Sequence, residues 1–392
     1  MTHDQIVAVE EEFQLRTYRK KPVAAVRGEG CWLWDADGRR FLDLYGGHCV
    51  TLLGHSHPAV TAALKKQLDD LLFYSNAVYS PVRARASAAL ANLAPTGLGK
   101  VFFCNSGTEA NETALKLARK TTGRPAILAM KGGFHGRTLG SLIATDGAYR
   151  EPYQDVLGPA EFVPFGDAGA VKRVLESRGD IAALIIEPIQ SMAGMTQAPD
   201  TYFRELRTLC SDAGVCLVFD EIQTGVGRTG TFSISEQYGM VPDMITLAKS
   251  LGNGVPVGAV LVSEPIASAV AYGDQGTTFG GGMLAMAAVE ATLEVLVQDD
   301  IMDKARRLES AIRHRLGPVV REIRGAGCLL GIDLGFPAGP VVSALLEKGI
   351  IVGGAADPNV IRLMPSALTP HDAIDAFALE LERCMQNAPR LA

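Results

Sequence analysis

Two linked runs, Cys216-Leu-Val-Phe-Asp-Glu-Ile-Gln-Thr-Gly225 and Met244-Ile-Thr-Leu-Ala-Lys-Ser250, the second running on to Val262, decide how the chain is read. The first apolar run stops on Asp220-Glu221. The second stops on Lys249, with Gly252, Gly254 and Gly258 close behind. Short continuous apolar runs bounded by glycine and charge read as strands buried on both faces of a parallel sheet. In such sheets ligands bind outside the carboxyl ends of the strands. Asp220 and Lys249 are therefore expected to project from two strand ends into one crevice.

A carboxylate and an amine facing one ligand suit pyridoxal phosphate. A lysine amine must be neutral to condense with the cofactor aldehyde into a Schiff base. A free lysine titrates near about 10.4, so burial has to lower it. The pyridine nitrogen must stay protonated, which a buried aspartate beside it secures. Taken singly, Asp220 reads as a turn cap and Lys249 as a solvated lysine. The pair, each at the end of an apolar run among glycines, favours the cofactor.

The chain has 392 residues, 47% of them hydrophobic, enough for a large core and for two or three domains, or one large domain with a smaller one appended. Its net charge of −6 is made of interspersed signs, with no long basic run, which argues against nucleic acid as a partner. Arg16-Thr-Tyr-Arg-Lys-Lys21, the most basic patch, reads as a solvated segment. No stretch reads as a signal peptide or membrane span. Seven scattered cysteines without Cys-x-x-Cys spacing argue for reduced thiols in a cytoplasmic protein and against a zinc site.

Upstream, Gly28 to Leu44 alternates around Asp35-Ala-Asp-Gly38 as a hairpin does. Gly54-His-Ser-His-Pro58 reads as a turn opening a helix rather than a metal site. Val101-Phe-Phe-Cys104 runs into Asn105-Ser-Gly-Thr-Glu-Ala-Asn111, a small-residue loop between strand and helix. There backbone N–H groups and the helix dipole face an anion, and Ser106 or Thr108 can add a hydroxyl. Such residues are also ordinary N-caps. Gly133-Phe-His-Gly-Arg137, at another strand end, is placed to stack Phe134 on a flat ring and hold a carboxylate; the plainer reading is a mobile loop whose Phe134 plugs the core. A strand Ile181–Ile186 ends on Glu187-Pro188, and a helix from Tyr202 to Ala213 follows. Strand alternating with helix predicts an open α/β sheet over residues 48–282. Residues 283–392 read as a smaller α+β domain that residues 1–47 join.

In their motifs and order, Gly54–Pro58, Asn105–Asn111, Gly133–Thr138, Asp220–Gly225, Gly227–Gly230, Ala248–Ser250, Thr277–Gly281 and Ile361–Leu363, the chain resembles the class III aminotransferases over nearly its whole length, and among them the acetylornithine aminotransferases. The resemblance implies the aspartate aminotransferase-like fold (fold type I), pyridoxal 5'-phosphate, and a homodimer with shared active sites. It implies that Lys249 carries the cofactor and moves the proton, and that Asp220 keeps the ring nitrogen protonated. Gln223 would bond the ring hydroxyl, and Ile222 and Phe134 would sandwich the ring. Gly107 and Thr108 would hold the phosphate with Thr278 of the neighbouring subunit, and Glu221 is counted with the cofactor-binding residues. Arg137 and Thr277 would contact the acylated end of the donor, and Arg362 the acceptor carboxylate as a planar fork.

The implied reaction moves the distal amino group of N-acetylornithine, or a similar acylated diamino acid, to 2-oxoglutarate. The alternatives within the family are ornithine, succinylornithine, 4-aminobutyrate or putrescine donors, or an aminomutase. A dinucleotide-dependent oxidoreductase lacks its Gly-x-Gly-x-x-Gly signature here, and Lys249 with Asp220 argues against a non-catalytic binding protein. One departure stands out. Ser191-Met192 follows Glu187-Pro-Ile-Gln190 where the family usually has Gly or Ser and then Glu. In relatives that glutamate neutralises the arginine while a distal amine reacts.

Overall fold

The computed structural model describes residues 1–387. Strands β1 (Ala25–Glu29), β2 (Trp32–Asp35) and β3 (Arg40–Asp43) come first. Then come β4 (Lys100–Cys104), β5 (Ala126–Met130), β6 (Ala160–Val163), β7 (Ile181–Ile186), β8 (Cys216–Asp220), β9 (Met244–Leu247) and β10 (Gly258–Val262). The last are β11 (Glu322–Ala326), β12 (Leu329–Asp333), β13 (Ile350–Ile351), β14 (Gly353–Gly354) and β15 (Val360–Leu363).

The large sheet has the order β4-β10-β9-β8-β7-β5-β6. Strand β10 runs antiparallel to both β4 and β9; the pairs from β9 to β6 are all parallel. Every residue of β5, β7, β8, β9 and β10 is buried, as continuous apolar runs between two helical layers require. Each Ile or Leu taken fully out of water there contributes roughly 1.5–3 kcal/mol.

The helix Gly107–Thr122 shows how the sequence sets the local geometry. Ser106 caps it by accepting the Glu109 N–H at 3.3 Å, and Gly123 ends it at φ +68°, in the left-handed region. Ala110, Ala114, Leu117 and Ala118 recur on its buried face, at the spacing a helix needs to lie on a sheet. Its N-terminus therefore points at the crevice beyond β4.

The β2–β3 hairpin turns at Asp35–Gly38, where the Asp35 carboxylate accepts the N–H groups of Asp37 (3.1 Å) and Arg39 (2.8 Å). Strand β13 adds to β3 in parallel, so the N-terminal hairpin and residues 350–351 share one sheet. A third sheet, β11-β12-β15-β14, carries Arg362 in register with Gly331 and Gly353. The Met283–Gln298 helix packs on the helices Pro58–Asp70 and Pro81–Leu93, across the boundary drawn from sequence at residue 282. Pro58 opens its helix, and His55 bonds the Asp43 carboxylate at 2.8 Å. All seven cysteines are buried thiols. Among the described residues no helix is long and apolar enough to cross a membrane.

Candidate active site

A cavity of about 510 Å³ opens at the carboxyl ends of the central strands, lined by Lys249, Asp220, Glu187, Phe134, Ile222 and Gln223 among others. Asp220, the last residue of β8, is 4% exposed. Its Oδ2 accepts from Asn111 Nδ2 (2.7 Å) and lies 2.7 Å from His135 Nδ1, and its Oδ1 accepts the Ile222 N–H. Thr246 donates to Asn111 Oδ1 at 2.7 Å, which turns the amide so that its nitrogen serves both Asp220 and the His135 carbonyl. The carboxylate is thus fixed by hydrogen bonds on both oxygens, the arrangement under which a buried charge is tolerated, while His135 Nε2 is buried without a partner among the described residues.

Lys249 follows β9 at φ +42°, a left-handed conformation unusual for a lysine, and starts a short 3₁₀ turn. Burial lowers its amine below the ordinary lysine value, with Cys49, Asp220 and Glu187 pulling the other way and Arg362 adding to the depression. The side chain keeps some accessibility, all of it toward the cavity it lines. Glu187, at the end of β7, accepts the Phe134 N–H at 2.8 Å. Burial pushes its carboxyl up to about 7, helped by Asp220 and opposed by His135 and Lys249.

The loop at the start of the Gly107–Thr122 helix is closely packed. A Cβ on Gly107 would stand 2.6 Å from Ile222 Cδ1, and one on Gly136 would overlap the Thr108 hydroxyl. Thr108 Oγ1 sits among Thr138 (2.8 Å) and Ser141 (2.5 Å). Phe134 meets Tyr149 edge-on at 5.7 Å. Gln223 Oε1 is buried with no partner among the described residues, although Gln223 lines the cavity. An anion cradle at a helix N-terminus, a lysine whose pKa burial lowers, a fixed aspartate and an orphaned amide oxygen together fit pyridoxal phosphate.

Glu221 is a correction. Side chains alternate along an extended segment, so when Asp220 faces the crevice its neighbour faces away. Glu221 is buried on the far side, accepting from Ser233 Oγ, from Ile234 N at 2.9 Å and from Thr224 Oγ1 at 3.3 Å. It holds the 221–234 loop together and does not line the cavity. Thr277 and Thr278 do not line the cavity of their own chain either. Thr277 accepts from Asn105 at 3.0 Å and Thr278 is exposed.

The other wall is built differently. Arg137 lines the cavity with its guanidinium 4.5 Å from the Tyr149 ring, and no carboxylate among the described residues pairs with it. Arg362 is 3% exposed and stands behind that wall. It donates to the Gly354 carbonyl (2.6 Å), Ser191 Oγ (3.1 Å), Met192 Sδ (3.3 Å) and Tyr45 Oη (2.9 Å). All four partners are neutral, and among the described residues no carboxylate lies within ion-pair distance of it. Met192 lines the cavity in front of it.

Tyr45 leads into four successive residues with positive φ: Gly46 (+55°), Gly47 (+56°), His48 (+70°) and Cys49 (+67°). L-residues visit this region singly, at a cost of order 1–3 kcal/mol each, so a left-handed turn must be held from outside. The Asp43 carboxylate holds it, accepting the Tyr45 and Gly47 N–H groups, each at 2.9 Å. The turn sets His48 on the cavity rim, its imidazole pushed down to about 4 by burial, then by Lys249 and Arg362. By its surface area the residue is exposed on that rim.

Asn111, His135, Glu187 and His48 had no role in the sequence reading. Asn111 and His135 sit inside quoted motifs and Glu187 ends a strand, which was the available signal. For the left-handed turn it was the Gly46-Gly47 pair.

The model of the family described as "Aminotransferase class-III" matches residues 13–385. The acetylornithine aminotransferase of Methanopyrus kandleri is 42% identical, over 95% of this chain and 96% of its own. The [LysW]-aminoadipate semialdehyde/glutamate semialdehyde transaminase of Sulfolobus acidocaldarius is 38% identical, over 92% and 94%. The crystal structure of ornithine aminotransferase from Toxoplasma gondii ME49 superposes with a TM-score of 0.92 at 28% identity, covering 100% of this chain and 97% of that one. The lysine, the aspartate and the loop at the helix N-terminus meet at one cavity, and by the family model and these relatives the chain belongs to the class III aminotransferases.

Proposed function

We propose that this chain transfers the distal amino group of N-acetylornithine, or a similar N-acylated diamino acid, to 2-oxoglutarate, using pyridoxal 5'-phosphate held on Lys249. The carrying observation is Arg137, a guanidinium without a carboxylate partner among the described residues, lining the same cavity as Lys249. A donor that anchors a carboxylate at one end and presents an amine at the other spans that arrangement.

When bound, pyridoxal phosphate supplies an electrophilic aldehyde and an electron sink for the donor carbon. The chain supplies the rest. Lys249 Nζ, whose pKa burial lowers, would accept a proton from the donor carbon and return it. Asp220, fixed by Asn111 and His135, would face the ring nitrogen. The Ser106–Thr108 backbone would hold the phosphate, Gln223 Oε1 would accept from the ring hydroxyl, and Phe134 and Ile222 would cover the ring. Arg362 takes the acceptor carboxylate once Met192 yields.

A homodimer completes this reading. Leu72, Tyr79 (104%), Tyr272 (109%) and Phe279 (65%) are exposed on two segments that Asn76 and Arg83 tie together through the Gly280 and Gly281 carbonyls. An apolar patch of this kind fits a second copy, which would bring Thr278 to the neighbour's phosphate. Buried reduced thiols suit the cytoplasm. A donor panel with 2-oxoglutarate as acceptor tests the proposal. N-acetylornithine should give the highest kcat/KM; a higher value for ornithine, 4-aminobutyrate or putrescine would replace it, and failure of every donor would overturn it.

A further inference from the structure

Arg228 is a charged side chain that the chemistry above does not use. It is 0% exposed, and among the described residues no carboxylate pairs with it. Its Nη1 donates to the carbonyls of Pro365 (2.6 Å), Met364 (3.2 Å) and, weakly, Cys328 (3.4 Å), and its Nη2 to Ser250 Oγ (3.2 Å). Its Nε has no partner. An arginine is always charged, and burying a cation away from any anion costs several kcal/mol even after relaxation. An apolar side chain of similar volume would fill the space without that cost.

The partners lie on three segments: the turn after Lys249, the stretch after β15 and the β11–β12 turn. Ser250 follows Lys249, and its hydroxyl also donates to the Cys49 carbonyl (3.4 Å), the end of the left-handed turn. Met364 and Pro365 directly follow β15, the strand that carries Arg362. The Met364 carbonyl also packs on Gly46, where a Cβ would overlap it, and the Met364 N–H reaches the Leu44 carbonyl at 2.8 Å. The Arg228 carbonyl accepts the Cys328 N–H at 2.8 Å, in the β11–β12 turn. Gly327 is required there, because any Cβ would run into that same oxygen.

We propose that Arg228 is a positioning residue that holds the lysine turn, the end of the Arg362 strand and the Gly46–Cys49 turn in one fixed relation. The rigid guanidinium is suited to this, because its donors leave one plane in set directions and acceptors on three segments, the Ser250 hydroxyl and the carbonyls of Cys328 and of Met364-Pro365, must come to them. The kinetic arm below rests on the transferase reading; the exchange arm does not.

The test uses full-length Arg228→Met, Arg228→Lys and Ser250→Ala. Amide hydrogen exchange on the cofactor-free chains should show protection lost together in 44–50, 248–252 and 362–367 of Arg228→Met, while β5 and β7 stay protected. In the cofactor-loaded enzyme the same variant should lose about 100-fold in kcat, the scale of an ångström-size misplacement. Its KM for 2-oxoglutarate should rise, and the cofactor's induced circular dichroism should change. Arg228→Lys, a charge without the planar fork, should recover only a minor part. Loosening confined to 228–230, uniform loosening, or kinetics unchanged with the dichroism intact would overturn the proposal. If Arg228→Met does not fold, Ser250→Ala decides. It removes one arm and should loosen 248–252 and 44–50 without touching β5 or β7, and unchanged exchange there overturns the proposal. Normal exchange coupling with no transfer from any donor would instead sink the proposed reaction.

Discussion

The two sides of the cavity are held by opposite means. Around Asp220, side chains from β8, β9, the Gly107–Thr122 helix and the Gly133–Arg137 loop close a network in which the aspartate, Asn111 and Thr246 all have partners. Around Arg362, the cation has only neutral partners and leans on a turn in a disfavoured conformation. A charge fixed by the core of a parallel sheet tolerates little change. A charge held by hydroxyls, a carbonyl, a thioether and a strained loop has fewer constraints, and Met192 is one of its neutral partners.

Lys249→Ala breaks the first side outright. It should fold and bind pyridoxal phosphate non-covalently, yet lose at least about 10⁴-fold in turnover, as removal of both the attachment point and the proton carrier implies. Absorbance of the loaded protein and single-turnover transfer measure this; near-normal turnover would reassign the base.

Gly46→Ala strikes the second side. The position has φ +55° and no room beside the Met364 carbonyl, so the variant should lose on the order of 3 kcal/mol in urea unfolding. Its affinity for pyridoxal phosphate should hold while KM for the acceptor rises. Equal damage to both would erase the distinction between the two walls.

Met192→Glu sharpens it. A carboxylate at 192 would neutralise Arg362 while a distal amine reacts. The ratio of kcat/KM for N-acetylornithine to that for alanine should rise by about 1–3 kcal/mol, the size of a hydrogen bond to a partly buried charge. An unchanged ratio would mean that Arg362 is not the acceptor's anchor.

The smallest effect is a pH dependence on the closed side. Burial pushes Glu221 up to about 7 from an ordinary 4.5. Between those values the folded chain keeps a proton that the unfolded chain has released. Its contribution to stability therefore declines as pH rises from 4.5 through 7 and stays low above. Glu221→Gln should remove that decline, gaining on the parent by on the order of 1–3 kcal/mol between pH 5 and pH 8. Urea midpoints for both chains at matched pH check it, and parallel curves would show that Glu221 is charged and satisfied throughout.

The legible parts of the site were those that local rules determine. Lys249, Asp220 and Gly107 end or follow strands, and a strand end in a parallel sheet fixes where a side chain points. Glu221 was misassigned because motif membership overrode the alternation that turns adjacent side chains to opposite sides. Asn111 and His135 reach Asp220 from 109 and 85 residues away, a closure that only the folded sheet reveals. The left-handed turn is illegible for another reason. Gly46-Gly47 permits positive φ, but His48 and Cys49 adopt it only because Asp43 imposes it. Gln223 and Arg362 came from resemblance alone, and the neutral setting of Arg362 came from the fold.

The lone antiparallel strand has a consequence for how the chain is made. Strand β4 sits at the sheet edge with β10 as its only strand neighbour, yet β10 begins at Gly258, long after Cys104 has left the ribosome. At about 5–20 residues per second, the ribosome needs on the order of 10–30 s to supply that neighbour. Throughout that wait Val101–Cys104 offers an open row of N–H and C=O groups to any other nascent chain, and the anion loop that follows it has no floor. The cofactor can find its complete pocket only after β10 has been threaded between β9 and β4, so loading is bound to the last third of synthesis, and the chain's exposure to mispairing is set by translation speed.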